Sequence, residues 1–469
     1  MIIMIEQFWD RDKELSWLQS KNKEPNATLL ILYGRRRLGK TELLKQFLKN
    51  RKHVYFLVGK KPEKMMRADL QKEMASYLND KVFSKIQFSD WEELFSTFLN
   101  KADHPIIVID EFPYLIEENK DIPSLFQKIW DEHVQQKPCL LVLCGSSVRM
   151  METKVLDVKS PLYGRRSGQW KLDPFPFSLF HKLFSHHSFE ERVQFFSFLD
   201  GVPAYINKMN PKETVDWNLK NRVFKRGEYL YEEAEYLLRE ELRTPRNYYA
   251  ILQAIAEGYT RFGQIANRTE LSKSLVSQYL KNLQELHVVK KMVPVTQRKE
   301  SRNALYQLSD NYFSFWFQFI YPYQQLIEQD KQNILLQSIR EQLTKQYSFT
   351  FEQVCQQLLS QGSFTKIGSW WDKEEEIDVI GLDKLNNHIV FGECKWTKKK
   401  VGLNLFERLL QKSECVSWKK DKRTESFALF SKSGFTKRLI EEADQRDNLY
   451  LFTAKDIDQL FKNQNNPFV

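Results

Sequence analysis

A phosphate-binding motif constrains the fold of this 469-residue chain more than any other feature. The apolar run TLLILY is followed by GRRRLGKT, in which Gly34, Gly39, Lys40 and Thr41 satisfy the pattern G-x-x-x-x-G-K-[ST]. Glycines let backbone N–H groups curl around a β-phosphate, the lysine reaches the β- and γ-phosphate oxygens, and the threonine hydroxyl ligates Mg²⁺. The motif therefore predicts a nucleotide site between a buried strand and a helix.

Acidic and polar residues follow two further apolar runs. Asp110 ends PIIVID, where we predict that it holds Mg²⁺ with Thr41, and Glu111 is the candidate for orienting or deprotonating the attacking water. The acidic pair could instead cap a helix. The run CLLVLC precedes Ser146, which is predicted to sense the γ-phosphate unless the Gly-Ser sequence is only a turn.

A cationic side chain is also expected near the γ-phosphate, because negative charge rises there as the bond breaks. The segment SPLYGRRSGQW offers Arg165 and Arg166 as catalytic candidates, acting within the chain or from a neighbouring subunit. Either arginine could equally form a surface ion pair.

The pattern of apolar runs divides the chain into regions. Alternating strands and amphipathic helices predict an α/β ATPase core with a parallel sheet over residues 1–174, followed by a helical subdomain over 175–245. Three helices and two short strands then have the order of a winged helix-turn-helix over 246–312. Nine Lys/Arg against three Asp/Glu between residues 261 and 302 favour DNA there, although many winged helices bind protein.

The last region, residues 346–469, follows a helical connector over 313–345 and carries a second set of candidate catalytic residues. Asp378 and the Glu-x-Lys of Glu393 and Lys395 are predicted to share one face of adjacent strands. This arrangement resembles PD-(D/E)xK nucleases, in which two carboxylates hold Mg²⁺ or Mn²⁺ and the lysine polarises water. Glu352 matches an acidic residue often found on the preceding helix and is a further metal candidate. Gln411 is a candidate for contacting substrate or water.

Six segments together resemble the archaeal-type ATPase family of the AAA/STAND P-loop NTPases: FWDRDKELSWL, GRRRLGKTELL, VIDEFPYL, CGSSVRMM, SPLYGRRSGQWKLDPFPF and DGVPAYI. The resemblance implies that the nucleotide is ATP and that Phe8 and Arg11 lie near the adenine. It also extends to the arginine trio after Gly34, which we interpret mainly as loop or interface residues. The predicted ATP site then comprises Phe8, Arg11, Gly34, Arg37, Leu38, Gly39, Lys40, Thr41, Glu42 and Ser146.

The predicted fold class is α/β: a P-loop NTPase with a parallel sheet, a helical subdomain, a winged helix-turn-helix and a C-terminal restriction-endonuclease-like α/β domain. The formal net charge of +10 suits a polyanionic partner such as DNA. Five cysteines without paired spacing, a polar N-terminal stretch and the absence of long apolar runs predict a cytoplasmic chain outside the membrane. Homo-oligomer formation is an open expectation.

Three functional hypotheses follow. The leading one is an ATPase that engages DNA and cleaves phosphodiester bonds with its last domain. The alternative is an ATP-dependent DNA-binding regulatory switch without nuclease activity. A third, an ATP-dependent factor that remodels a partner, predicts no affinity for DNA.

Overall fold

The chain forms two compact units, Met1–Pro174 and Phe175–Val469. A computed structural model describes residues 9, 11–242, 245–298, 300–301, 303–373 and 375–463. Both units combine helices with sheets, and the predicted α/β fold class is confirmed.

The first unit is built on a five-stranded sheet. Its strands are β1 Thr28–Tyr33, β2 His53–Leu57, β3 Ile106–Asp110, β4 Leu140–Gly145 and β5 Gly168–Lys171. All of them pair in parallel in the order β2-β3-β4-β1-β5. The strand that precedes the phosphate motif and the strand that ends at Asp110 are therefore separated by β4, so three loops meet at one edge of the sheet.

Helices accompany this sheet. They are α1 Asp12–Lys21, α2 Lys40–Leu48, α3 Glu63–Leu78, α4 Trp91–Lys101, α5 Pro113–Glu118, α6 Ile122–Ile129 and α7 Val148–Met150. Strands β1, β3 and β4 are buried along their whole length, which explains their uninterrupted apolar sequences.

The apolar runs TLLILY, PIIVID and CLLVLC form strands β1, β3 and β4, whereas β5 was not predicted. Strand β2 alternates between buried residues and residues that are partly or fully exposed, because it lies at the edge of the sheet. Strand β5 occupies the other edge and has only four residues, GQWK, so it lacks the apolar run of a central strand. Its Trp170 packs on Trp17 of α1, with 5.4 Å between ring centroids.

The second unit contains most of the helices. They are α8 Phe180–Leu183, α9 Phe189–Leu199, α10 Pro203–Ile206, α11 Val215–Asn218, α12 Tyr229–Glu241, α13 Pro245–Ala256, α14 Phe262–Thr269, α15 Lys273–Glu285, α16 Asn311–Phe315, α17 Gln324–Glu328, α18 Gln332–Ser338, α19 Arg340–Leu359, α20 Leu403–Glu414, α21 Lys437–Asp444 and α22 Ala454–Asn463. Helices α13 to α15 precede the antiparallel pair β6 Val289–Met292 and β7 Leu305–Leu308, the predicted order of a winged helix-turn-helix.

A second five-stranded sheet lies near the end of the chain. Its strands are β8 Lys366–Asp372, β9 Glu375–Asp383, β10 His388–Lys395, β11 Thr424–Ser431 and β12 Leu449–Thr453. Strands β8 to β10 form an antiparallel meander, and β11 and β12 continue from β10 in parallel. Strands β8 and β12 were not predicted; they lie at the two edges of the sheet, and most of their residues are not fully buried.

Contacts between distant segments make residues 175–469 one unit. Phe461 of α22 packs edge-on against Phe177, with 5.4 Å between ring centroids. Asp458 of the same helix forms a 2.8 Å ion pair with the buried Arg192 of α9. The last helix therefore ties the C-terminal sheet to the helical segment that begins the unit.

Within the described part of the chain, no helix has both the length and the apolarity needed to cross a bilayer. All five cysteines are free thiols, and only Cys415 is exposed.

Candidate functional sites

The phosphate motif forms a tight loop between β1 and α2. A Cβ atom at Gly34 would lie 2.5 Å from the carbonyl oxygen of Leu172, which is closer than real Cβ contacts. Gly39 precedes α2 with a φ of 83°, in the left-handed region that glycine adopts without steric cost. Both glycines are therefore required by the backbone path.

Lys40 is buried within this loop. Its Nζ donates to the carbonyl oxygens of Gly34, at 2.8 Å, and Arg35, at 2.9 Å, while 5% of the residue is exposed. Burial lowers the pKa of Lys40, and nearby carboxylates oppose that shift. The ammonium group is thus held by neutral acceptors at the start of α2, where the positive end of the helix dipole also lies.

Asp110 receives hydrogen bonds on both carboxylate oxygens. Thr41 Oγ1 and the Tyr55 hydroxyl donate to Oδ2 at 2.8 and 2.7 Å, and the backbone N–H of Glu111 donates to Oδ1 at 3.0 Å. The two predicted Mg²⁺ ligands, Thr41 and Asp110, are therefore in direct contact. Burial and the charge of Asp110 raise the pKa of Tyr55, so its hydroxyl remains a donor.

Glu111 points to the neighbouring strand. It adopts a φ of 60°, in the left-handed region, and its carboxylate accepts from the backbone N–H of Ser146 at 3.2 Å and from the Ser146 hydroxyl. This contact is possible because β4 lies between β1 and β3. The structure thus brings Ser146 together with Glu111.

The remaining predicted nucleotide contacts are distributed around the loop. Arg11 donates through Nη2 to the carbonyl oxygens of Leu38, at 3.2 Å, and Asp173, at 2.8 Å. Arg37 is exposed, and Glu42 is exposed and paired with Lys45. Phe8 lies outside the described residues.

The two candidate catalytic arginines have other partners in this structure. Arg165 forms an ion pair with Asp131, with 2.7 Å between Nη2 and Oδ2. The Arg166 guanidinium lies 4.3 Å from the centre of the Tyr163 ring. Within the described residues neither arginine contacts Lys40, and their catalytic role stays a prediction.

The C-terminal residues Asp378, Glu393 and Lys395 converge as neighbours on β9 and β10. Lys395 Nζ lies 2.8 Å from Glu393 Oε2 and 3.5 Å from Asp378 Oδ2. The backbone N–H of Cys394 also donates to Asp378 Oδ2, at 2.8 Å. The strand pairing therefore produces the grouping that residue spacing predicted.

A second lysine, Lys412 of α20, completes this group and was not predicted. Its Nζ pairs with Glu393 Oε1 and donates to the backbone oxygen of Glu376 at 2.7 Å. The neighbouring Gln411 is exposed. Only the three-dimensional fold brings Lys412 to Glu393, and no spacing in the sequence signals it.

Charge within this C-terminal cluster is unbalanced. Burial and the neighbouring carboxylates raise the pKa of Glu352 well above its usual range, and burial followed by Glu393 raises that of Asp378 to about 6. Burial opposes the ionisation of Glu393 as well, but Lys395 and Lys412 lower its pKa. Four carboxylates, including Glu376, face two ammonium groups, so the fully ionised cluster carries an uncompensated negative charge.

Helix α15 presents a polar face to solvent. Lys273, Ser277 and Lys281 are all exposed and lie four residues apart, on one side of the helix. Val276, Leu280 and Leu283 are buried on the opposite side. A helix anchored in this way can enter a groove of nucleic acid with its polar face.

Three families match parts of the chain. Residues 8–209 match the ATPase domain found predominantly in Archaea, and residues 249–291 match the bacterial regulatory proteins of the arsR family. Residues 316–409 match archaeal and bacterial proteins of unknown function.

Individual relatives cover the chain to different extents. The uncharacterized protein MJECL04 of Methanocaldococcus jannaschii is 35% identical over 422 residues, which span 87% of this chain and 92% of that protein. The uncharacterized ATP-binding protein MJ0423 of the same organism is 54% identical over 48 residues, or 10% of this chain and 81% of that protein.

The solved structures that match this chain share less sequence identity with it than MJECL04 does. The Walker-type ATPase PABY2304 of Pyrococcus abyssi matches with a TM-score of 0.48 and 23% identity, over 67% of this chain and 97% of that one. The ORC2 protein of Aeropyrum pernix, in its ADPNP-ADP complexes, matches with a TM-score of 0.46 and 12% identity, over 70% of this chain and 96% of that one.

Proposed function

This chain belongs to one family with the M. jannaschii protein MJECL04 and carries an archaeal ATPase domain, and on that premise we propose that it binds and hydrolyses ATP to control its engagement of DNA. The observation that carries the proposal is the meeting of Lys40, Thr41, Asp110, Glu111 and Ser146 at one sheet edge. Lys40 binds the β- and γ-phosphates, and Glu111 orients the attacking water.

The residues at this edge fit Mg²⁺ as well as ATP. Thr41 and Asp110 offer hydroxyl and carboxylate oxygens side by side, and oxygen donors are those that Mg²⁺ prefers. When bound, the ion neutralises phosphate charge. Ser146 keeps Glu111 oriented and senses the γ-phosphate.

DNA is the proposed partner of the winged helix. The match to arsR-family regulators and the exposed polar face of α15 support this assignment. Lysines on that face contact phosphates, whereas Ser277 and Gln278 are suited to base edges. Homo-oligomer formation belongs to the same proposal, with Arg166 of one copy acting at the nucleotide of another.

Metal-dependent phosphodiester cleavage is proposed for the C-terminal cluster. Glu352, Asp378 and Glu393 supply carboxylate oxygens, and their uncompensated charge suits Mg²⁺ or Mn²⁺. The ion would supply Lewis-acid activation of water. Lys395 and Lys412 hold Glu393 in place and stabilise negative charge near the phosphate.

One experiment tests both activities. Supercoiled plasmid is incubated with the full-length protein and Mg²⁺ or Mn²⁺, with and without ATP, and nicking and phosphate release are read in parallel. We expect Glu393→Ala to lose cleavage and keep ATP hydrolysis. Lys40→Ala should lose ATP hydrolysis by about 100-fold or more, because a phosphate-stabilising charge is removed.

The matched control for Lys40→Ala is Lys45→Ala, an exposed lysine on the same helix that pairs with Glu42. Unchanged hydrolysis in Lys40→Ala would contradict the ATP site. Loss of hydrolysis in a folded Glu393→Ala protein would contradict the division of labour between the two sites.

A regulatory switch without cleavage is the second candidate function. It is favoured by one observation: both carboxylate oxygens of Glu393 are already engaged by lysines, Lys395 and Lys412. This function predicts that DNA is retained and that no nicking occurs with either metal ion.

A further inference from the structure

Three consecutive lysines follow the strand that carries Glu393 and Lys395. Lys398, Lys399 and Lys400 are all exposed and begin three residues after the end of β10. Three residues of fully extended chain span at most about 11 Å, so the run starts beside the C-terminal cluster. These lysines therefore lie close to the carboxyl end of β10, where Lys395 is located.

The loop that carries them is fixed to the loop after β11. The backbone N–H of Val401 donates to Gly434 O at 2.9 Å, and that of Thr436 donates to Val401 O at 2.9 Å. The Ser433 hydroxyl donates to Thr397 O. We call residues 396–401 and 431–436 the lysine shelf, because backbone bonds hold both loops together.

The shelf has a further cation on a buried aromatic ring. Lys432 Nζ lies 5.0 Å from the centre of the Trp396 ring, and the Lys432 backbone N–H donates to Lys395 O at 3.1 Å. Trp396 is 6% exposed and packs against Phe351 of α19. This packing fixes the start of the shelf directly after the Glu-x-Lys strand.

The described residues place no acidic partner on these three lysines. Many exposed lysines elsewhere are paired, such as Lys420 with Glu414 and Lys462 with Asp458, both at 2.8 Å. Within the described part of the chain, no ion pair is formed by Lys398, Lys399 or Lys400. The shelf therefore keeps three adjacent positive charges in water, at a cost in mutual repulsion that an incoming polyanion would relieve.

We propose that the lysine shelf binds the sugar–phosphate backbone of the polynucleotide next to the bond presented to the C-terminal cluster. The inference deepens the proposed cleavage function and rests on it for the identity of the bond. Ammonium groups on flexible stems suit phosphates as point charges and carry no base preference. The shelf positions the strand, and sequence reading belongs elsewhere.

The test is the salt dependence of DNA binding by the full-length protein. Affinity for a short fluorescent duplex is measured by anisotropy in EDTA, over salt from about 50 to about 200 mM. The variant K398Q/K399Q/K400Q removes three charges while keeping side-chain length. The logarithm of the binding constant falls with the logarithm of the salt concentration, and each lost phosphate contact makes this slope shallower by about 0.9. We therefore expect the magnitude of the slope to decrease by about 2 to 3 in the variant.

The matched control is K419Q/K420Q/K422Q, in the loop before β11. This variant removes the same number of charges. Because β10 and β11 run parallel, the loop before β11 lies at the opposite end of these strands from the loop after β10. Its slope should stay at the wild-type value. An unchanged slope in K398Q/K399Q/K400Q, or an equal fall in both variants, would overturn the proposal.

Two further arms separate this proposal from the cleavage function. If wild type does not cut DNA but the shelf variant still loses slope, the shelf stands as a DNA surface and the nuclease assignment fails. If Glu393→Ala abolishes cutting while the shelf variant binds like wild type, the nuclease stands and the shelf proposal fails.

Discussion

Both candidate sites bring together an aspartate, a glutamate and a lysine, but they satisfy these charges in opposite ways. At the P-loop, Lys40 donates to backbone carbonyl oxygens, and Asp110 and Glu111 accept from hydroxyl and amide donors. In the C-terminal cluster, Lys395 and Lys412 form ion pairs with Glu393.

This difference indicates the sign of the charge on the ligand that each site can bind. A buried ammonium held only by neutral carbonyls keeps its charge available for an anion such as a triphosphate. Carboxylates that outnumber their lysines leave negative charge, which favours a cation. The kinds of partner around each charge therefore carry functional information that residue identity alone lacks.

The ion pairs of the C-terminal cluster give the largest expected effect. We expect Lys412→Met to lower the free energy of unfolding by about 3 kcal/mol, because Glu393 is buried and would lose one of its two cations. Urea denaturation followed by circular dichroism measures the change.

The comparison variant is Lys420→Met, which breaks a lysine–glutamate pair whose side chains are both exposed. Its expected cost is at most about 1 kcal/mol. Equal costs for the two variants would mean that Lys412 is not a structural partner of Glu393.

Neutral donors at the P-loop should matter for turnover more than for stability. In Ser146→Ala, Glu111 keeps the backbone N–H of residue 146 and loses the hydroxyl, so we expect ATP turnover to fall about tenfold, or about 1.4 kcal/mol. ATP affinity should change less than about twofold, because the P-loop itself is intact. Ser147→Ala is the neighbouring control, and an equal loss there would refute the specific role of Ser146.

A pH dependence is the smallest expected effect. Burial and then Glu393 raise the pKa of Asp378 to about 6, so the folded protein holds this proton at pH values where the unfolded chain has lost it. Stability is therefore lost as pH rises from about 4 to about 6. In EDTA, the Tm of Asp378→Asn minus that of wild type should grow by about 2 °C over this range.

Asp383 provides the opposite case on the same strand. Hydrogen bonds from Asn386 lower its pKa, so its contribution is lost as pH falls. Because the ordinary pKa of an aspartate is about 4, the Tm of Asp383→Asn minus that of wild type should become more negative as pH rises to about 4 and stay constant from about 4 to about 6. The same trend in both variants would show that the pH dependence has another origin.

Sequence reasoning predicted local features better than distant ones. The P-loop and the Glu-x-Lys strand were recognised because their residues are close in the chain and their spacing fixes which side chains share a face. Tyr55 and Lys412 were missed, since strand order and helix packing bring them to Asp110 and Glu393. Edge strands such as β5 were missed because they lack the apolar run of a buried strand.

Glu111 has a consequence for any redesign of this chain. A residue with a side chain in the left-handed region costs of order 1 kcal/mol or more, and glycine would remove that strain. Selection for more stable variants would therefore favour Glu111→Gly, and this substitution would delete the carboxylate proposed to orient water. Thermal stability and turnover are expected to trade against each other at this single backbone torsion.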